Sequence, residues 1–231
     1  MPVLVLPPSV CQLCALPREL EVQGATVAQV LSNAARQHPE AGRLLLDELG
    51  VPRRHYPVFK NEDDVRSLGG VQIDVGPEDV VSVLPPIAGG AAAEEALADC
   101  VRYVSVHQHG PRPDWLRRAI EHAEEAYPEE ACGLVVRAES GQLEAIRSRN
   151  VSERPRDQFE LEPDVGLLTA LRTGRLQGFY HSHPDGPAKP SAEDLEKARL
   201  WGPELEWTIV SVRSGRAGEV ASYRLSQADG A

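Results

Sequence analysis

His181-Ser182-His183-Pro184-Asp185-Gly186-Pro187-Ala188-Lys189-Pro190-Ser191-Ala192-Glu193-Asp194 is the stretch on which the reading of this chain turns. The residues before it, Leu176-Gln-Gly-Phe-Tyr180, are apolar and aromatic and predict a buried strand. Residues i and i+2 of a strand share a face, so His181 and His183 can reach one ion together. A Pro/Gly/Lys loop follows. Ser191-Ala-Glu-Asp194 then opens a helix that runs to about Trp201. Asp194 falls in its first turn, where a carboxylate is favoured by the helix dipole. Ser191-x-x-Asp194 is also close to a capping box, which by itself accounts for both residues. The two readings are compatible, because a cap fixes where Asp194 points. Two imidazoles and one carboxylate form a ligand set that suits zinc and leaves a fourth position for water.

Upstream of this stretch, Pro128-Glu129-Glu130-Ala131-Cys132-Gly133 leads two acids directly into the apolar strand Leu134-Val-Val136. A carboxylate at the mouth of a buried strand sits in low dielectric, so its pKa should rise, as a general base requires. The plainer alternative is two acids at a strand end on the surface. The spacing His-x-His, seven residues, Ser, two residues, Asp resembles the signature of the JAMM (MPN+) zinc metalloproteases. That resemblance implies zinc held by His181, His183 and Asp194. It assigns the general base to Glu130 rather than Glu129, and oxyanion stabilisation to Ser191. Asn150-Val-Ser-Glu-Arg154, Phe159-Glu-Leu161 and Tyr180-His-Ser-His183 extend the likeness over about residues 101–225. Further strands are expected at 101–106, 143–148, 159–161, 207–212 and 219–224. Helices are expected at 115–126 and 163–173. This alternation predicts an α/β sandwich.

The first ninety residues read differently. Val3-Leu-Val-Leu6 and Arg18-Glu-Leu-Glu-Val22 predict a hairpin. Thr26 caps a helix over 27–37 that Pro39 ends, and a shorter helix surrounds Leu44-Leu-Leu46. Strands are expected at Pro57–Lys60, Val71–Val75 and Val80–Leu84. The last runs into Pro-Pro-Ile-Ala-Gly89-Gly90, a slim ending that can thread a narrow active site. This half resembles the ubiquitin-like MoaD/ThiS sulfur carriers, and within them the carrier of thiocarboxylate-dependent cysteine synthesis. The resemblance implies a β-grasp fold and a terminal glycine carboxylate that an E1-like enzyme adenylates. Here the diglycine is internal, followed by Ala91-Ala-Ala-Glu-Glu-Ala-Leu-Ala98, so carrier function requires cleavage after Gly90. A flexible start to a linker is the bland reading of the two glycines.

The expectation is therefore an α+β chain. A ubiquitin-like β-grasp domain (1–90) is joined by a linker (91–100) to a JAMM, cytidine-deaminase-like sandwich (101–231). The net charge of −11 disfavours a nucleic-acid partner. No apolar run nears the ~20 residues of a membrane helix, and the N-terminus lacks a secretory pattern, so a cytoplasmic location is expected. Cys11-x-x-Cys14 has no second pair, lies in a Pro/Ser loop rather than at a strand-to-helix turn, and is read as reduced thiols. A zinc deaminase would need a Pro-Cys-x-x-Cys pair downstream, and no cysteine follows Cys132. The implied activity is hydrolysis of the amide after a carrier's Gly-Gly, the carrier being this chain's own first domain or a separate copy. The alternative is a non-catalytic partner-binding scaffold.

Overall fold

The computed structural model describes residues 1–53, 56–85, 101–107 and 112–226. The chain divides into two compact units, Met1–Ile87 and Ala88–Ala231. Gly89, Gly90 and the expected linker 91–100 lie outside the described residues.

The first unit contains, in order, β1 (Val3–Val5), α1 (Pro8–Cys14), β2 (Glu19–Glu21), α2 (Val27–Gln37), α3 (Pro39–Leu45), β3 (Val58–Lys60), β4 (Asp63–Asp64) and β5 (Val80–Val83). Its sheet has the order β2-β1-β5-β3-β4, parallel between β1 and β5 and antiparallel elsewhere. Thr26 caps α2 by accepting the Gln29 N–H at 3.2 Å. The face of α2 carrying Val27, Val30, Leu31 and Ala34 is buried in one core with Leu4 and Val81. A helix lying on a mixed sheet with parallel central strands is the β-grasp arrangement.

Two local expectations change. Val71–Val75 alternates like a strand but forms only an isolated bridge, Asp74 with Thr26. Its carbonyls serve α2 instead: Val27 N–H donates to Ile73 at 3.1 Å and Ala28 N–H to Val71 at 2.8 Å. These are first-turn amides with no acceptor inside the helix. The segment buries Val75 as an alternating pattern should, while its hydrogen bonds go to a helix end. The expected Pro/Ser loop holding Cys11 and Cys14 is instead the helix α1, which follows β1 directly, with proline pre-set for its first turn. Both thiols are free, and burial pushes the Cys11 pKa up.

The second unit contains β6 (Val101–His107), α4 (Asp114–Ala126), β7 (Cys132–Arg137), β8 (Leu143–Ser148), α5 (Val165–Arg172), β9 (Leu176–Pro184), α6 (Ala192–Trp201), β10 (Glu206–Arg213) and β11 (Arg216–Leu225). The sheet order is β6-β11-β10-β9-β7-β8, with only β9 and β10 parallel. The expected strand at 159–161 is reduced to a bridge between Asn150 and Leu161. Strand alternation sorts β9 between two layers. Tyr180 packs with Ala119 and Val135 under α4. Phe179, on the other face, meets Trp201 of α6 and Trp207 of β10, each at 4.7 Å between ring centres. His181 and His183 share the Phe179 face by the same alternation.

Candidate metal centre

Three elements deliver the site. β9 carries His181 and His183. The first turn of α6 carries Asp194. The residues leading into β7 carry Glu130. The antiparallel register of β7 on β9 sets Cys132 opposite His181, so Glu130 approaches the level of His183. Beyond the ladder, Ser182 holds that approach from the opposite face. Its N–H donates to the Ala131 carbonyl, and its Oγ accepts the Ala131 N–H, both at 2.9 Å.

His181 Nε2 lies 3.0 Å from His183 Nε2 and 3.1 Å from Asp194 Oδ1, and His183 Nε2 lies 3.3 Å from Asp194 Oδ2. Among the described residues these three offer ligand atoms within 4.8 Å of one another. The Ser191–Asp194 capping box is complete: Asp194 N–H donates to Ser191 Oγ at 3.2 Å, and Ser191 N–H donates to Asp194 Oδ2 at 2.8 Å. The Ser191 hydroxyl also donates to Oδ2, at 2.7 Å. Oδ1 is thereby left turned toward His181.

Burial pulls the His181 pKa down, against the raising effect of Asp194. Burial acts the same way on His183, but the hydrogen bond and charge of Asp194 outweigh it and the net shift is up. Burial would raise Asp194, yet the two imidazoles hold its carboxyl well below the usual range. Asp194 is therefore an anion. His183 Nδ1 is 2.9 Å from the Pro187 carbonyl, which can only accept, so Nδ1 carries a hydrogen and Nε2, once it gives up the proton shared with Asp194, is the nitrogen free to bind a metal. Two imidazole nitrogens and one anionic oxygen converging on one point, with a ring tautomer fixed from behind, fit a zinc ion.

A cavity of about 250 Å³ opens beside these atoms, lined by Glu130, His183, Ser191 and Asp194 among others. Glu130 is 7% exposed. Desolvation pushes its pKa up to about 8, with His183 lowering it and Asp194 raising it. Four of the five single-residue site expectations in this half, Glu130, His183, Ser191 and Asp194, therefore line one space, and His181 lies buried behind it within reach of His183 and Asp194, whereas Gly89 and Gly90 fall outside the described residues.

Three neighbours were not among the expected site residues. Asn150 donates to the Glu130 carbonyl and the Gln158 carbonyl, both at 3.0 Å, and its Oδ1 accepts the Glu160 N–H at 3.0 Å. Gln158 donates to both Glu193 oxygens, closing one wall of the cavity. Lys197 is 2% exposed and donates to the Phe159 carbonyl at 2.8 Å. Its signal was present in the sequence. It stands in the stripe Asp194, Lys197, Ala198, Trp201, a helical face that α6 buries.

Residues 112–226 match the family described as prokaryotic homologs of the JAB domain, and residues 11–90 match the ThiS family. Tail tip assembly protein K of Escherichia phage N15 is 37% identical over 97 residues, which are 42% of this chain and 38% of the phage protein. A desampylase of Pyrococcus furiosus is 30% identical over 120 residues, covering 50% of this chain and 80% of the relative. A probable TtuB-protein conjugate cleaving protease of Thermus thermophilus is 36% identical over 70 residues, covering 28% and 47%. The candidate ligands fall inside the first matched region and most of the β-grasp unit inside the second, and the chain belongs to the prokaryotic JAB (JAMM) family, with a ThiS-family domain preceding it in sequence.

Proposed function

We propose that the chain is a zinc peptidase or isopeptidase acting on the amide that follows the C-terminal Gly-Gly of a ubiquitin-like sulfur carrier. The observation that carries this reading is the convergence of His181, His183 and Asp194 at the edge of a cavity that a buried Glu130 also lines. The names of the archaeal and bacterial relatives and the ThiS match on the same chain support the substrate class. Residues 1–90 are assigned to the carrier, 91–100 to a linker and 101–231 to the peptidase.

His181, His183 and Asp194 would hold the zinc. When bound, it would supply Lewis acidity, easing deprotonation of water and polarising the amide carbonyl. Glu130 accepts a proton from the attacking water at its carboxylate and returns it to the leaving nitrogen. Burial lifts its pKa to about 8 without a metal, and a bound dication would bring it back down toward neutrality, where it can do both. The Ser191 hydroxyl, donated to Asp194 in the resting site, is the proposed donor to the developing oxyanion. Asn150 fixes the Glu130 backbone and the loop that walls the cavity.

Three amides are candidates: the chain's own Gly90–Ala91 bond, an amide between a matured carrier and cysteine, and an isopeptide to a protein lysine. The partner is the chain's own carrier domain or a separate copy. An adenylating E1-like enzyme is the activating partner this chemistry calls for. Intact mass after incubation with zinc tests the reading, beside Glu130→Gln and His183→Ala. A zinc-dependent fragment ending at Gly90, absent from both variants, supports it. An uncut chain that also leaves a separate carrier–cysteine amide and a lysine isopeptide intact would favour the partner-binding scaffold.

A further inference from the structure

A ligating histidine is normally oriented by a hydrogen bond from its second ring nitrogen to a carboxylate, carbonyl or water. His183 follows this pattern through Pro187. His181 does not. Its ring is fully buried, and its Nδ1 has no hydrogen-bond partner among the described residues. The Phe159 ring lies against it instead, stacked at 4.4 Å between centres and 26° between planes.

Phe159 is itself held from several sides. The buried Lys197 ammonium donates to its carbonyl at 2.8 Å and sits 3.7 Å from its ring centre. The peptide groups before and after Phe159 are both taken by one side chain: Asn150 donates to the Gln158 carbonyl and accepts the Glu160 N–H, each at 3.0 Å. A segment whose strand pairing is a single bridge, Asn150 with Leu161, is thereby fixed at the position of one ring. A lysine buried at this depth is otherwise costly, because its charge loses water.

We infer that Phe159, tethered by Lys197 and Asn150, is the positioning residue that sets the His181 ring plane in the metal centre, in place of a hydrogen bond at Nδ1. The inference rests on the proposed ligand role of His181. It predicts that planarity at position 159, rather than bulk alone, tunes the metal.

The test uses the full chain, zinc affinity by competition with a chromophoric chelator, and the visible absorption spectrum of the cobalt-substituted protein. Phe159→Leu should bind zinc about 10- to 100-fold more weakly, the usual effect of removing a group that orients a ligand. Its cobalt bands should shift, and Phe159→Tyr should restore both. Phe159→Met fills the space without a planar ring. It is expected to behave like the leucine variant, and it carries the test if that variant loses its metal-free fold. Leucine or methionine variants with wild-type zinc affinity and an unshifted cobalt spectrum overturn the inference alone. A wild-type chain that takes up no zinc overturns the ligand assignment, and the inference with it.

Discussion

Glu130 carries its carboxyl where most of its hydration is lost, and the pKa rises to about 8 from an ordinary 4.5. A raised acid is protonated in the folded state at pH values where the unfolded chain has ionised. Its contribution to stability is thus full below about pH 4.5 and is lost as pH rises through about 8. Glu130→Gln removes that loss. In metal-free protein the variant should melt higher than wild type at about pH 9, with the gap nearly closed at about pH 5. Differential scanning calorimetry at both values checks this, and an equal gap at both would mean that the carboxyl is better solvated than its burial implies. The same substitution should lower turnover of a diglycine amide by about 10²- to 10⁴-fold while leaving bound zinc unchanged. At this scale the ligand set was legible, because His181, His183, Ser191 and Asp194 are close in sequence and ordered by local rules. Phe159 and Asn150 were not, because their contacts depend on which distant residues the fold sets beside them.

The first turn of α6 does two jobs with one pair of side chains. The capping box closes the helix and also aims the Asp194 carboxylate at the histidines. Ser191→Ala should therefore cost about 1 kcal/mol of stability and weaken zinc binding as well. Ser191→Thr, which keeps the cap, should preserve both. Urea titration and chelator competition on the same samples check this, and a variant that lost stability with unaltered zinc affinity would separate the cap from the ligand. Gly178, on β9 below the histidines, sits so close to the Glu206 carbonyl on β10 that a β-carbon would overlap it. Gly178→Ala should destabilise the sheet by about 1–3 kcal/mol, read as a lower urea midpoint. Periodicity located most elements. It failed at Val71–Val75, where alternation reported burial correctly but could not say that the backbone would serve the α2 N-terminus. It overreached also at Phe159–Leu161, where the pairing is a single bridge to Asn150 and side-chain tethers do the rest.

Each unit has its own buried core, and the proposed ligands all belong to the second. A metal that binds only the folded chain stabilises it by mass action, by about 4 kcal/mol at a thousandfold excess over the dissociation constant. Adding a chelator should lower the melting temperature of wild type and leave His183→Ala unmoved. A wild type insensitive to the chelator would argue that no metal is held. Among the described residues no helix is long and apolar enough to cross a membrane.

By itself the sequence determined the order of two domain types, the acidic surface, and the identity of three prospective ligands with their cap. Those features are set by composition and by contacts within a few turns of chain. Only the tertiary structure decided that Glu130 arrives beside His183, because that depends on the register of β7 against β9. It also decided that Glu130 is desolvated enough to hold its proton, and that Lys197 and Asn150 clamp Phe159 onto His181. These are long-range packing outcomes, and no spacing rule encodes which buried side chain will lie against which.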